Sequence, residues 1–322
     1  MIVFITSSGH GYTVRSMIEK TLGAPVPDVR TIHYEKLFRS WYLPRATYVF
    51  CDFDRLPPWM QERAAHFYRM MRAVGLTCLN DPARVMLRAE LLSTLEQRGI
   101  NPFGVYRADT HPRPRRFPVF IRSEGGHAKP FTELYEDQET LEAALRELKD
   151  RGLPLRGLLV IERASEPYSD GLWAKWGTWR IGAQTIVEHI AVDDTWMVKT
   201  GDHAKVTSRI MEDEHDAVVA NRYASDLKPI FDLAHVEYGR ADHGRYGERT
   251  IVFEINTNPY IGHFVPGRNS VRRETHLCAR TRIAEALQAI DTTHGGRVWL
   301  PEWRHRRPWD WMKPRLAGPS GP

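Results

Sequence analysis

The densest chemistry in the chain lies in VEYGRADHGRYGERTIVFEINTNP, residues 236–259. Asp242 closes one β-like run; Glu254 and Asn256 follow twelve and fourteen residues later on the next. Residues two apart on a strand share a face, so Glu254, Asn256 and Asn258 are expected to project together, with Phe253 and Ile255 turned to the core. If the two runs pair through the polar turn between them, Asp242 comes beside Glu254. Two carboxylates and an amide oxygen are hard ligands that suit Mg²⁺, an ion that keeps several waters and takes its other ligands from phosphates. The plainer alternative is an edge strand that ends at Glu254, with the asparagines shaping a turn.

The elements that must position these residues follow from hydrophobic period and punctuation. MIVFITS and ATYVFCDFDRL are buried-strand patterns, the second stopped by Pro57-Pro58, and WMQERAAHFYRMMRAVG has helical spacing that ends at Gly75. With LTCLN they make an alternating α/β layer of residues 1–80. A helix is expected over ARVMLRAELLSTLEQRG, a strand at FPVFIRS before the GGHAKP loop, a helix over DQETLEAALRELKDRG and a strand at LLVIER. WGTWRIGAQTIVEHIAV and TWMVKTGD alternate like an antiparallel meander, and HDAVVANRYASDLKPIFDLA is expected as one helix. SVRRETHLCARTRIAEALQAI is the last helix.

Composition narrows the class. The chain has 322 residues, 42% of them hydrophobic, enough for a sizeable core in two or three subdomains. No run reaches the roughly 18 apolar residues of a membrane span, and Met1 leads into a strand pattern rather than a signal peptide. Cys51, Cys78 and Cys278 lack CxxC spacing, which suits a reducing cytoplasm. The net charge of +5 is concentrated in residues 297–322, which hold six Lys/Arg against two Asp/Glu. That tail also carries Trp299, Trp303, Trp309 and Trp311; pinning it to the body is the preferred reading, contact with an anionic partner the other.

Rival chemistries find less support. SSGHGYT after the first strand has neither the GxGxxG nor the GxxxxGK[ST] pattern, so it reads as a strand-to-helix turn. HExxH and GxSxG are absent, which argues against a zinc hydrolase and a serine hydrolase.

The run R-x-D … V-F-E-I-N-T-N-P resembles the metal-binding end of the ATP-grasp superfamily, which includes D-alanine–D-alanine ligase, glutathione synthetase and RimK-type ligases. The resemblance implies an α/β and α+β fold: a pre-ATP-grasp α/β domain and two α+β subdomains that clamp the nucleotide. The expected division is 1–80, 81–163 for the nucleotide lid, 164–295 for the metal and acceptor site, and 296–322 for the tail. Carried over by position, Asp242, Glu254 and Asn256 are the magnesium ligands, and Arg240 matches an arginine that steadies the oxyanion of a tetrahedral intermediate.

Other landmarks are implied by the same resemblance. Arg122 stands where the family has a phosphate-binding lysine, followed by Gly125 and Gly126 of the glycine loop; the fork of an arginine suits phosphate but with different geometry. Arg84 or Arg88 takes the place of a second lysine. Glu162 is the acid of the hinge strand, Arg180 points towards the transferred phosphate, and Lys199 is a further nucleotide contact. Asn258, Gly262, Arg268 and Arg272, with Arg273, fall on the acceptor side. The implied activity is an ATP- and Mg²⁺-dependent carboxylate–amine ligase that works through an acyl phosphate. A small-molecule kinase and a nucleotide-binding module without turnover are the alternatives. Small-molecule or peptide carboxylates and amines are the expected partners, not a membrane or a nucleic acid, and a homodimer is compatible with the sequence.

Overall fold

Five consecutive apolar or β-branched residues, Ile2–Thr6, suit a strand covered on both faces, and every one of them is buried. The computed structural model describes residues 1–20, 25–125, 133–169, 171–261, 269–292 and 295–300. Ile2–Thr6 is β1, followed by α1 (Tyr12–Lys20), β2 (Val29–His33), α2 (Tyr34–Leu37), β3 (Tyr42–Pro44), β4 (Thr47–Phe50), α3 (Pro58–Ala73) and β5 (Thr77–Leu79). Strands β2, β1, β4 and β5 lie in that order in one parallel sheet. Pro58 opens α3 where a missing N–H costs nothing, and Gly75, at φ +80°, ends it in the left-handed region.

Next come α4 (Arg88–Gln97), β6 (Val105–Arg107), β7 (Val119–Ser123), α5 (Gln138–Asp150) and β8 (Leu158–Glu162). Strands β6, β8 and β7 form an antiparallel sheet, and Leu141, Leu145 and Leu148 of α5 pack on it with Val119, Ile121 and Val160. The expected helix from residue 83 begins only at Arg88. Asp81 instead folds a turn, accepting from the Ala83 N–H with its side chain and from Arg84 and Val85 with its carbonyl.

The last part of the chain holds β9 (Trp173–Ile181), β10 (Gln184–Asp193), α6 (Ser208–Val219), α7 (Ala224–Leu233), β11 (Tyr238–Tyr246), β12 (Arg249–Asn256), α8 (Ser270–Ile290) and β13 (Arg297–Trp299). Its antiparallel sheet runs β10-β9-β11-β12. The single helix expected over 215–234 is two. Asn221 sits at φ +52° between them and trades two hydrogen bonds with β10, to the Thr185 carbonyl and from the Val187 N–H. The expected strand at TWMVKTGD is a loop; the Asp202 N–H donates to the Val192 carbonyl and folds the segment back on β10.

The layers share cores. Phe4 and Val49 pack with Trp179, Tyr238 and Ile283, while Phe50 and Phe67 join Phe231, Ala241 and Val252. Asn80 ties them further: it donates to the Phe50 and Tyr238 carbonyls and accepts from Glu237 and Tyr238. Strand β13 pairs with β3, and Trp299 packs on Trp41 and Tyr42 with ring centroids 5.8 and 4.5 Å apart. Trp303, Trp309 and Trp311 lie outside the described residues. Among the described residues, no helix is long and apolar enough to cross a membrane.

Candidate nucleotide and metal site

The β11–β12 ladder sets Asp242 opposite Glu254 and Arg240 opposite Asn256. Asp242 therefore lies mid-strand rather than at a strand end. The ladder slips after this pair, since His243 opposes Val252 and Phe253 is the extra residue of a β-bulge. The slip corrects the expected alternation: Phe253 and Glu254 both line one cleft, instead of Phe253 facing away into the core.

Among the described residues, four cations gather on the two carboxylates. Arg88 and Arg122 both donate to Oε2 of Glu254, Arg122 at 3.0 Å. Lys175 Nζ lies 2.8 Å from Asp242 Oδ2, and Arg240 Nε lies 3.5 Å from Asp242 Oδ1. Arg88 also donates to the Ser123 and Glu124 carbonyls at 2.9 and 2.8 Å, which joins the start of α4 to the end of β7. Burial alone would raise the Glu254 carboxyl; Arg88, Arg122 and Lys175 outweigh it and hold the group well below the usual carboxylate range. Arg122 is itself held below its ordinary value by burial and by Arg88, against the pull of Glu254.

Beside the carboxylates opens an apolar-walled cavity of about 150 Å³, between the β6-β8-β7 sheet and the β9–β12 sheet. Leu92, Phe120, Ile161, Trp173, Trp196 and Phe253 form much of its wall, with Arg122, Lys175, Asp242 and Glu254 at the charged end. Trp196 packs on Phe120 at 4.9 Å between centroids, and Arg163 lies over the Trp173 ring at 5.2 Å. Among the described residues the buried Ser165 hydroxyl and Arg163 Nε have no hydrogen-bond partner, so the cavity offers polar groups to a ligand.

Other expected site residues divide by position. Glu162 lines the cleft, yet its carboxylate is taken by the Gly104, Arg115 and Arg116 N–H groups and the Tyr106 hydroxyl, fixing the 104–116 segment. Lys199 lines the rim, and its carbonyl accepts from Lys175 Nζ at 3.0 Å. Gly125 is pressed on the α/β layer: a Cβ there would meet the Asp54 carbonyl oxygen at 2.6 Å. Gly126, Gly262 and Arg268 lie outside the described residues.

Four expectations need correction. Arg180 has the opposite strand parity from Lys175, Gly177 and Trp179; it bonds Thr185 and pairs with Asp232 at 3.3 Å, away from the carboxylates. Arg84 meets His235 on the exposed face, so of the two candidates Arg88 is the one in the cluster. Asn258 does not share the face of Glu254, because the strand ends at Asn256, whose side chain turns the chain by accepting from the Asn258 N–H. Its own amide is buried between layers, held by Thr13, Asp52 and the His10 carbonyl. Arg272 pairs with buried Glu214 at 3.1 Å.

Lys175 was missed by sequence reasoning, although counting back by twos from Trp179 puts it on the site face. Glu188 was missed as well. It is a bulge residue of β10 that accepts from Trp179 Nε1 at 2.7 Å and lies 3.2 Å from His189 and 3.5 Å from Arg240. Burial would raise its pKa, but His189 and Arg240 depress it.

The donor set fits a hard divalent ion. Among the described residues no three His, Cys, Asp or Glu side chains converge on one point. The two opposed carboxylates are hard ligands of the kind that suits an ion keeping waters and phosphate ligands, while the Asn256 amide oxygen accepts from the Asn258 N–H.

No family model and no curated protein matches the chain. Solved structures do. A D-alanine–D-alanine ligase from Coxiella burnetii aligns over 90% of this chain and 94% of its own, at 12% identity and a TM-score of 0.50. A RimK domain protein ATP-grasp from Sphaerobacter thermophilus aligns over 89% and 100%, at 14% identity and 0.46. A D-alanine–D-alanine ligase from Bacillus anthracis complexed with ATP aligns over 88% and 97%, at 11% identity and 0.43. With its parallel layer, its three-stranded sheet and its four-stranded antiparallel sheet in this order, the chain has the ATP-grasp fold.

Proposed function

We propose that the protein is an ATP-dependent carboxylate–amine ligase that works through an acyl phosphate. The observation that carries this reading is the opposed pair Asp242–Glu254, ringed by Arg88, Arg122, Lys175 and Arg240 at the charged end of an apolar cleft. The cleft takes the base and sugar of ATP, with the triphosphate laid along the cations.

Arg122, Arg88 and Lys175 bind the phosphate oxygens and align the γ-phosphoryl group with the substrate carboxylate. Asp242, Glu254 and Asn256 would hold Mg²⁺, which when bound supplies charge neutralisation on the phosphates. The carboxylate oxygen takes the phosphoryl group and ADP leaves. The amine nitrogen then attacks the acyl carbon, a C–N bond forms, and phosphate departs with its oxygen as the nitrogen loses a proton. Arg240, tethered to Glu188, Asp242 and the Tyr260 carbonyl, offers its guanidinium to the oxyanion of that step. No side chain becomes covalently modified.

Glu254→Gln tests the reading. ADP release should fall by about 100-fold or more, as for loss of a charge-stabilising group, while the far-ultraviolet circular dichroism stays that of the wild type. Wild-type turnover in this variant would sink the assignment of Glu254 to the metal.

A further inference from the structure

The two carboxylates suited to a divalent ion are each paired with cations of the chain itself. Oε2 of Glu254 accepts from Arg88 and from Arg122, and Oδ2 of Asp242 holds Lys175 Nζ at 2.8 Å. These are not loose surface pairs: the side chains of Arg88, Arg122 and Lys175 are 9%, 17% and 18% exposed. A free divalent ion that takes Oε2 of Glu254 must push two guanidinium groups aside, and a largely buried cation stripped of its partner is costly. A polyphosphate changes that balance, because it offers the same cations another anion, in the bidentate geometry that arginine prefers.

We infer that the metal site of this protein is closed to free metal ion and is opened by the nucleotide. Arg88, Arg122 and Lys175 exchange carboxylate for phosphate, and the freed Asp242 and Glu254 take up the divalent ion. The inference rests on the nucleotide reading above and adds to it an order and a coupling. Because binding free energies are reciprocal, metal and nucleotide raise each other's affinity by one factor. Arg88 carries the change furthest, since the same guanidinium holds the Ser123 and Glu124 carbonyls at the end of β7.

The test is titration of the full chain with Mn²⁺, followed by calorimetry and by the paramagnetic resonance of free Mn²⁺, with and without ADP. Wild type should bind Mn²⁺ alone no better than Glu254→Gln does, and about tenfold tighter or more with ADP present. Arg122→Gln and Arg88→Gln should each bind Mn²⁺ alone about tenfold tighter than wild type, yet bind ADP more weakly. Arg122→Gln decides the matter should Arg88→Gln fail to fold, since it spares the contacts with the β7 carbonyls. Equal Mn²⁺ affinity with and without ADP, or no gain in a folded arginine variant, overturns the inference and leaves the nucleotide site standing. Failure of ADP to bind in every arm overturns the nucleotide reading and this inference with it.

Discussion

Asp242 and Glu254 face each other directly across the β11–β12 pair, at the last register before the ladder slips at Phe253. Like charges at such positions destabilise a sheet, and burial adds to the cost. Among the described residues, the chain offsets that cost by surrounding them with Arg88, Arg122, Lys175 and Arg240, drawn from α4, β7, β9 and β11. Local sheet preference loses here to a collective charge balance, the kind of conflict that marks a functional site.

Lys175→Met should raise the dissociation constant for ADP roughly tenfold or more by calorimetry, because a charge-assisted contact to phosphate is lost. It should leave the thermal transition within a few degrees of wild type, since the side chain sits at the edge of the cleft. Unchanged ADP affinity would remove Lys175 from the phosphate site.

Arg180→Ala separates the two strand parities. Its loss breaks the contacts with Thr185 and Asp232 and should cost about 1–2 kcal/mol in urea unfolding. ADP affinity should stay at the wild-type value. A weakened nucleotide complex in this variant would return Arg180 to the site.

Gly125→Ala probes the approach of β7's end to the α/β layer. The added methyl meets a backbone oxygen, Asp54 O, at 2.6 Å, so the segment must move away rather than rotate a side chain. An overpacking cost of this kind should weaken ADP binding by roughly tenfold. Wild-type affinity would show that the contact is not needed when nucleotide is bound.

His276, on α8, gives the fold a pH dependence of defined sign. Burial first, then the neighbouring His189 imidazole and Arg272 guanidinium, lower its pKa to about 3, against the pull of Glu188. The folded protein therefore keeps it neutral, while the unfolded chain binds a proton below about pH 6.5. Its contribution is fully present above that value and is lost as pH falls towards 3. Between pH 7 and 5 the loss from this group is about 2 kcal/mol. Urea unfolding of His276→Gln should show a correspondingly shallower acid limb over that interval; an identical limb would contradict the buried, neutral state.

Much was legible in the order of residues alone. Apolar runs, Pro57-Pro58 and Gly75 laid out β1, β4, α3 and β5 of the parallel layer, though not β2, and the R-x-D … E-x-N spacing carried the pairing of β11 with β12. These are local properties: backbone period, turn chemistry and the donor atoms of a side chain travel with the sequence. The tertiary structure decided which cations meet those carboxylates. Arg88 over Arg84 follows from a turn at Asp81 that delays α4, Lys175 over Arg180 from strand parity in the assembled sheet, and the place of Phe253 from a bulge. Asn258 was turned into the junction with Asp52 and Thr13 by partners more than 200 positions away in the chain. Such choices depend on where separate segments come to rest, because a charge is stabilised by whichever partner packing brings within a few ångströms.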